Sequence, residues 1–289
     1  MHNSHLIYIL FVFIFLHSNI GCANKNNGNA LFLKEYDLNK PSQLILNDQL
    51  LEISGICFYP KDSSVFAISD EKGYLYKIHL TKNFLIEKWK FDKTHDFEDV
   101  YFLDSTFYVL ESNGNIHTIN FSEKGDTIFT RKNVFPAKGK NKNEFESLYY
   151  DEQRKAFILI CKDCQGDKKS SLTAWGYDPL TGIYTPAVFT INVDAIAKKT
   201  GKEEIKFKPS AAAINPKTRD LWILSAVNHL LVVTDGNGIF KDAFYLNPGK
   251  FTQPEGISFT PWGDLLISNE AGSKYNVATL FIFKPKKII

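Results

Sequence analysis

The sequence predicts an all-β protein, a five-bladed β-propeller of four-stranded antiparallel blades closed by a strand from the N-terminal part of the chain. Two observations support this class. A short pattern recurs five times, and residue types that favour strands are abundant. The 289 residues include 24 Phe and 13 Tyr, and 44% of the side chains are hydrophobic. This composition is typical of a β-rich globular protein rather than a disordered or fibrous one.

Each copy of the repeat consists of a polar residue, a small residue and then an apolar strand. The copies lie at residues 54–58, 98–102, 146–150, 210–214 and 255–259. A second apolar run follows every copy, as expected for the next antiparallel strand. The copies start 44, 48, 64 and 45 residues apart, which matches the ~40–50 residues of a four-stranded blade.

The one long interval between copies contains a predicted helix. Residues 191–207 include Asp194 as a candidate N-cap and Gly201 as a candidate C-terminal glycine. We therefore expect a short helical insertion between two blades, and not a further domain.

The fifth copy ends before a fourth strand can form. After its predicted third strand, residues 277–283, only six residues remain. An unpaired strand edge favours aggregation, so another segment must cover it. Residues 31–38 or residues 44–47 precede the first copy and are free to do so, which predicts a ring closed between the two ends of the chain.

The N-terminal segment predicts export. Residues 6–16 form an apolar run that is too short to span the ~30 Å core of a bilayer but suits a signal peptide. Gly21 and Cys22 resemble the bacterial lipobox, in which the cysteine is lipidated. We therefore predict a signal peptide at residues 1–21, a lipidated Cys22 with a flexible tether at residues 22–30, and a single propeller domain at residues 31–289. Asn19 and the lack of Lys or Arg in residues 1–4 depart from the pattern and leave plain secretion or an uncleaved anchor as alternatives.

This arrangement predicts an extracytoplasmic lipoprotein of the cell envelope, attached to a membrane through its lipid. The expected partner is a small ligand or an envelope protein. Nucleic acid is excluded, because 34 basic and 32 acidic side chains leave a net charge of only +2.

The other cysteines allow several interpretations. Cys57 lies within an apolar stretch and is predicted to be a buried core residue. Cys161 and Cys164 have the spacing of a redox pair, of half a zinc site or of a local disulfide. No second CxxC pair accompanies them, and an oxidising compartment favours the disulfide.

Acidic residues are expected to meet at one mouth of the central channel. First strands border the channel of a propeller and start at the same mouth, which gathers Glu98, Glu146 and Glu255. The ends of the second strands add Asp70, Glu111, Asn269 and Glu270 nearby, with Lys162 as the evident cation. Converging carboxylates repel one another, and a set of oxygen ligands suits a hard cation such as Ca²⁺. In the alternative interpretation, the glutamates cap backbone N–H groups and brace neighbouring blades.

Motifs for catalysis are absent from the sequence. It contains no GxSxG elbow, phosphate-binding loop or GxGxxG motif. His117 and His229 lie in strand-like runs and are predicted to be structural. No catalytic residue is therefore predicted.

Five short motifs carry a resemblance to a known family. They lie at residues 52–56, 96–100, 144–148, 208–211 and 253–257. These motifs resemble those of the SdiA-regulated family of bacterial envelope proteins, and the resemblance covers about residues 45–285. The resemblance implies a five-bladed propeller, distantly related to NHL and TolB propellers, with a calcium site and no established catalysis. We carry calcium binding over to Glu98, Glu146 and Glu255 by motif position.

Three functions are compatible with these expectations. The first is an exported propeller that binds a ligand or partner at the channel mouth. The second is a calcium-dependent hydrolase of the lactonase or phosphoesterase type, which would need His95 or His117 beside the ion as a general base. The third is a scaffold whose glutamates only brace the blades.

Overall fold

A computed structural model describes residues 33–81, 85–136, 143–272 and 277–286. The predicted signal peptide, Cys22 and the predicted tether lie outside these ranges. Among the described residues, none belongs to a helix with the length and apolar character needed to cross a bilayer.

Strands make up nearly all of the regular secondary structure of the described residues. The first elements are β1 (Ser42–Ile45) and a single turn of 3-10 helix, Asp48–Leu50. Blade 1 contains β2 (Ile53–Tyr59), β3 (Ser64–Ser69), β4 (Lys72–His79) and β5 (Ile86–Lys90). Blade 2 contains β6 (Phe97–Leu103), β7 (Thr106–Glu111), β8 (Ile116–Phe121) and β9 (Ile128–Asn133). Blade 3 contains β10 (Glu144–Asp151), β11 (Ala156–Asp163), β12 (Ser171–Tyr177) and β13 (Tyr184–Asn192).

The second half of the chain opens with a helix, α1 (Val193–Lys199). Blade 4 contains β14 (Ala211–Ile214), β15 (Leu221–Ser225), β16 (Leu230–Thr234) and β17 (Phe240–Tyr245). Blade 5 contains β18 (Pro254–Phe259), β19 (Leu265–Asn269) and β20 (Thr279–Phe283), with β1 as its fourth strand. The described residues thus form five four-stranded antiparallel sheets, which confirms the predicted five-bladed propeller.

The ring is closed by the N-terminal strand. β1 pairs with β20 in antiparallel register, with Leu44 opposite Leu280. The second of the two predicted closing segments, residues 44–47, therefore overlaps the strand that pairs. Leu33 and Tyr36 of the first segment pack against blades 4 and 5, and Tyr36 donates a hydrogen bond of 2.6 Å to the carbonyl of Gly263.

In the described part of the chain, the hydrophobic core consists of five clusters, each between two neighbouring blades. Side chains alternate between the two faces of a strand, and both faces are covered. In β15, Leu221 and Ile223 pack toward blade 3, whereas Trp222 and Leu224 pack toward blade 5. Each blade is therefore held by its two neighbours.

The helical insertion is confirmed, but its cap is not the predicted one. The side chain of Asn192 accepts a hydrogen bond of 3.1 Å from the N–H of Ala195. Asp194 instead lies in the first helical turn, because the helix begins directly after β13. Gly201 follows the helix with a φ of +72°, as a C-terminal glycine does.

Candidate functional site

Three of the predicted site residues occupy the same irregular place in their blades. In blade 2, the residues on either side of Glu98 pair with consecutive residues of β7, so Glu98 is the extra residue of a β-bulge. Glu146 in β10 and Glu255 in β18 occupy the equivalent position. A bulge redirects the side chain of its extra residue, and bulges are frequent next to binding sites. The bulges thus place all three glutamates at the start of a first strand.

The expected bracing contacts between blades are made by other residues. The hydroxyl of Ser210 donates to the carbonyl of Pro254 at 2.7 Å, and that of Ser268 donates to the carbonyl of Ser54 at 2.9 Å. The carboxylate of Asp99 accepts from the N–H of Leu148 at 2.7 Å. These contacts join blades 4 and 5, 5 and 1, and 2 and 3, so bracing does not require the three glutamates.

The channel mouth brings together carboxylates from blades 1, 2 and 5. Burial, together with the nearby charges of Asp96 and Asp70, raises the pKa of Glu98 to about 9. Burial, together with Glu270, raises the pKa of Glu255 to about 8. The charge of Glu255 also raises the pKa of Glu98, because like charges repel.

Asp70 connects the two sides of this cluster. The carbonyl of Asp70 accepts a hydrogen bond of 2.9 Å from the N–H of Phe97, which ties the end of β3 to the start of β6. Burial, followed by a hydrogen bond with Asp96 and by the charges of Asp96 and Glu270, raises the pKa of Asp70 to about 7. We name the set of Asp70, Asp96, Glu98, Glu255 and Glu270 the acidic mouth.

Lys162 supplies positive charge next to the acidic mouth. Its amine contacts Glu144 at 2.8 Å and also forms an ion pair with Glu146. The charge of Lys162 opposes the increase in the pKa of Glu98 and of Glu255. Lys162 therefore links Glu146 of blade 3 electrostatically to the glutamates of blades 2 and 5.

Two of the expected mouth residues have other surroundings. Glu111 is 1% exposed and accepts hydrogen bonds within blade 2 from Asn113, Asn115, His117 and Lys132. These donors hold its pKa well below the usual range despite burial. Asn269 is 1% exposed and donates to Thr279 at 3.3 Å, while its Oδ1 has no partner among the described residues.

Asp96 is a member of the acidic mouth that was not predicted from the sequence. It lies two residues before Glu98 in the motif of residues 96–100, and its charge raises the pKa of both Asp70 and Glu98. The hydroxyl of Ser112 donates to it at 2.5 Å. Its position beside a repeat glutamate was the available signal.

The donor chemistry of the acidic mouth suits a hard cation. Its side chains offer carboxylate oxygens as ligand atoms, which Ca²⁺ prefers. The carboxylate oxygens of Glu98, Glu146 and Glu255 do not, however, all lie within 4.8 Å of one another, as ligands of a single ion would. Among the described residues, groups of three potential ligands with atoms within 4.8 Å of one another consist of Asp92, His95 and Glu111, and of Cys161, Cys164 and Asp167.

The predicted disulfide between Cys161 and Cys164 is confirmed. Cys161 and Cys164 form a disulfide, so their sulfur atoms are not thiolate ligands for zinc. Lys162 lies within this four-residue loop. Cys57 is a free, buried thiol whose pKa is raised by burial, as predicted for a core residue.

These observations define the class of protein as a five-bladed propeller whose channel has an acidic mouth. The sequence profile of the SdiA-regulated family matches residues 29–277. The chain belongs to the SdiA-regulated family. A comparison with curated proteins returned no match.

Solved structures with similar folds include several enzymes. Glutaminyl cyclase from Myxococcus xanthus is 13% identical, with a TM-score of 0.52, and the match covers 86% of this chain and 98% of that one. A luciferin-regenerating enzyme is 11% identical, with a TM-score of 0.52 and coverage of 85% and 95%. The PQQ-bound aldose sugar dehydrogenase from Streptomyces coelicolor is 10% identical, with a TM-score of 0.51 and coverage of 86% and 99%. At these identities the similarity shows the fold alone.

Proposed function

We propose that this protein is an exported, lipid-anchored propeller that binds a ligand or envelope partner at the acidic mouth with the help of Ca²⁺. The observation that carries the proposal is the convergence of buried carboxyl groups from three blades, where burial and like charges raise the pKa of Asp70, Glu98 and Glu255. Burying carboxylates together is unfavourable unless protons or cations neutralise them. A site that keeps such groups facing one another is suited to binding a cation.

Calcium is the preferred ion because the donors are oxygens. Ca²⁺ takes 6–8 oxygen ligands in flexible geometry, which a cluster of carboxylates and ligand oxygens can provide. Glu98 and Glu255 would hold the ion with help from Asp70 and Glu270, while Glu146 is engaged by Lys162. Such an ion would leave coordination positions for oxygen atoms of a bound ligand.

Export is supported by the disulfide and by the sequence of the N-terminal segment. A disulfide between Cys161 and Cys164 is stable in an oxidising compartment and rare in the cytosol. Lipidation at Cys22, which lies outside the described residues, would hold the propeller at a membrane surface through the tether of residues 22–30.

A binding function is favoured over the calcium-dependent hydrolase. Hydrolysis would need a general base within reach of the ion and its water. His117 is 2% exposed and bonded to Glu111, and His95 contacts Asp92 and Phe97. The described contacts of both imidazoles are thus with residues outside the acidic mouth.

Calorimetric titration of the EDTA-treated full chain with Ca²⁺ tests the proposal. We expect binding at micromolar to millimolar concentration, and at least a tenfold loss of affinity in the double variant Glu98→Gln and Glu255→Gln. Glu152→Gln is a matched control. Glu152 lines a pocket where the first strands end, whereas the acidic mouth lies where they start. Absence of binding, or equal affinity in the double variant, would contradict the calcium site.

A further inference from the structure

A second group of potential metal ligands lies on blade 2. Asp92 and His95 belong to the connection between β5 and β6, Glu111 ends β7, and His117 lies in β8. We name these four residues the histidine–carboxylate cluster. Two of them provide imidazole nitrogens, which the acidic mouth does not contain.

The atoms of this cluster are already close together. His95 Nε2 lies 3.7 Å from Asp92 Oδ2, and His117 Nδ1 lies 3.5 Å from the same oxygen. One ligand atom each from Asp92, His95 and Glu111 lies within 4.8 Å of the other two. Ligands of a tetrahedral zinc ion with bonds of ~2.1 Å are ~3.4 Å apart. Small side-chain movements would therefore complete three-point coordination.

His95 is well placed to act as a ligand. A separation of 3.7 Å from Asp92 is too long for a hydrogen bond, so this nitrogen is free to bind an ion. The side chain of His95 is 41% exposed and that of Asp92 is 28% exposed, whereas the side chain of Glu111 is 2% exposed. An ion could enter from solvent past His95 and reach Glu111 at the buried end.

His117 has the surroundings of a positioning residue. It is buried, and its Nε2 lies 2.6 Å from Glu111 Oε1 while its Nδ1 faces Asp92. The imidazole of His117 thus holds the carboxylate of Glu111 in place by a hydrogen bond and lies beside that of Asp92. Residues behind metal ligands commonly orient them in this way.

Lys132 is the competing cation at this cluster. Its amine contacts Glu111 Oε1, and its side chain is 33% exposed. A flexible, partly exposed lysine can move into solvent when an ion binds. Removing its charge should therefore strengthen binding of a divalent ion.

We propose that Asp92, His95 and Glu111 form a binding site for Zn²⁺ or a similar late divalent metal, with His117 as a positioning residue. A mixed set of imidazole and carboxylate ligands suits zinc better than calcium. Three protein ligands leave a position for water or for a ligand atom. This site is independent of the calcium proposal, because it shares no residue with the acidic mouth.

The test is a Zn²⁺ titration of the EDTA-treated full chain, purified without a histidine tag. We expect one ion per chain at the cluster, and affinity at least tenfold lower in His95→Ala and in Asp92→Asn. Lys132→Met should bind more tightly than the parent protein. Glu87→Gln is the matched control, because Glu87 is a half-exposed carboxylate beside His79 in blade 1. Its affinity should not change.

Cobalt substitution separates the roles of the two histidines. The visible spectrum of bound Co²⁺ reports tetrahedral coordination, and we expect it to be lost in His95→Ala. In His117→Gln the affinity should fall ~10–100-fold while the spectrum of the saturated site is retained. Thermal unfolding of each variant checks that it is folded.

Several results would overturn the zinc site. They are the absence of Zn²⁺ binding in the parent protein, unchanged affinity in His95→Ala, or weaker binding in Lys132→Met. An equal loss of Zn²⁺ affinity in Glu98→Gln would also overturn it, because the ion would then lie at the acidic mouth. Binding of Ca²⁺ by Glu98 and Glu255 is measured separately, so each proposal can fail alone.

Discussion

The carboxylate of Asp99 in blade 2 accepts a hydrogen bond of 2.7 Å from the backbone N–H of Leu148 in blade 3. Its other oxygen accepts from the N–H of Val100 at 2.8 Å. Asp99 is 3% exposed, and burial raises the pKa of its carboxyl group well above the usual value. The backbone of Gly55 in blade 1 lies against it, where a Cβ atom would overlap the carboxylate. One side chain thus connects three blades.

Replacing Asp99 with Asn should destabilise the propeller. An amide offers one oxygen acceptor, so its NH₂ group would face one of the two N–H donors. A buried donor left without a partner costs ~1–3 kcal/mol. Urea denaturation measures the loss. Glu123→Gln, an exposed change in the same blade, should stay within ~0.5 kcal/mol, and an equal effect of the two substitutions would refute the bridging role.

Asp99 also shows why part of the structure could not be predicted from the sequence. The blades were predictable because the repeat is a short run of adjacent residues, and each copy marks the start of the first strand of a blade. The same position holds Gly55, Ser147, Ala211 and Gly256 in the other copies, so a buried bridging carboxylate has no precedent within the chain. Its role depends on a backbone N–H from the next blade, 49 residues away.

The candidate site was predictable to a similar extent. Because the blades form a ring, equivalent positions of the repeat lie around the same channel. This predicted that Glu98 and Glu255 lie near each other. The surroundings of Glu111 were not predictable, because they depend on His117 and Lys132 of the next two strands. A strand-end glutamate can face the channel or its own blade, and only side-chain contacts in the folded protein decide between them.

Ring closure by β1 predicts a difference between two adjacent residues. Leu44 is 9% exposed and packs between blades 5 and 1, whereas Ile45 is 63% exposed. Leu44→Ala should lower the free energy of unfolding by ~2–4 kcal/mol through the cavity that it leaves. Ile45→Ala should change it by less than ~0.5 kcal/mol. Similar unfolding midpoints for the two variants in urea would argue against closure through this strand.

Lys162 should stabilise the metal-free protein most at alkaline pH, where the carboxyl groups of Glu98 and Glu255 lose their protons. In Lys162→Met, Glu146 would lose its ion pair and the opposing charge near Glu98 and Glu255 would disappear. We expect the melting temperature at pH 8 to fall by about 5 °C, with a smaller change at pH 5, where the carboxyl groups of Glu98 and Glu255 are protonated. Lys169→Met is the control, because Lys169 forms an exposed ion pair with Glu204. A loss that is the same at both pH values would contradict this explanation.

The same substitution should increase calcium affinity. Removing a positive charge beside the acidic mouth makes the site more negative, so Ca²⁺ should bind Lys162→Met several-fold more tightly than it binds the parent protein. Calorimetric titration measures the change, and weaker binding would show that Lys162 assists the ion instead of competing with it.

The disulfide should make a modest contribution to stability. For a loop of four residues, chain entropy predicts ~2 kcal/mol from the bond between Cys161 and Cys164. The double change of both cysteines to Ser should lower the urea midpoint accordingly, and a dithiol reductant should have the same effect on the parent protein only. A further fall in the midpoint of the double variant on adding the reductant would show that the reductant acts elsewhere.

Stability of the metal-free protein should fall as pH rises from about 5.5 to 9. The folded-state pKa values of Asp70, Glu98 and Glu255 are about 7, 9 and 8, whereas carboxyl groups of an unfolded chain titrate near ~4. Between these limits the folded protein binds more protons than the unfolded chain does, so increasing pH favours unfolding. Melting temperatures measured in EDTA across this range should decline. In Glu98→Gln the decline should be shallower, because the amide has no proton to lose, and parallel curves for the two proteins would show that Glu98 is not the titrating group.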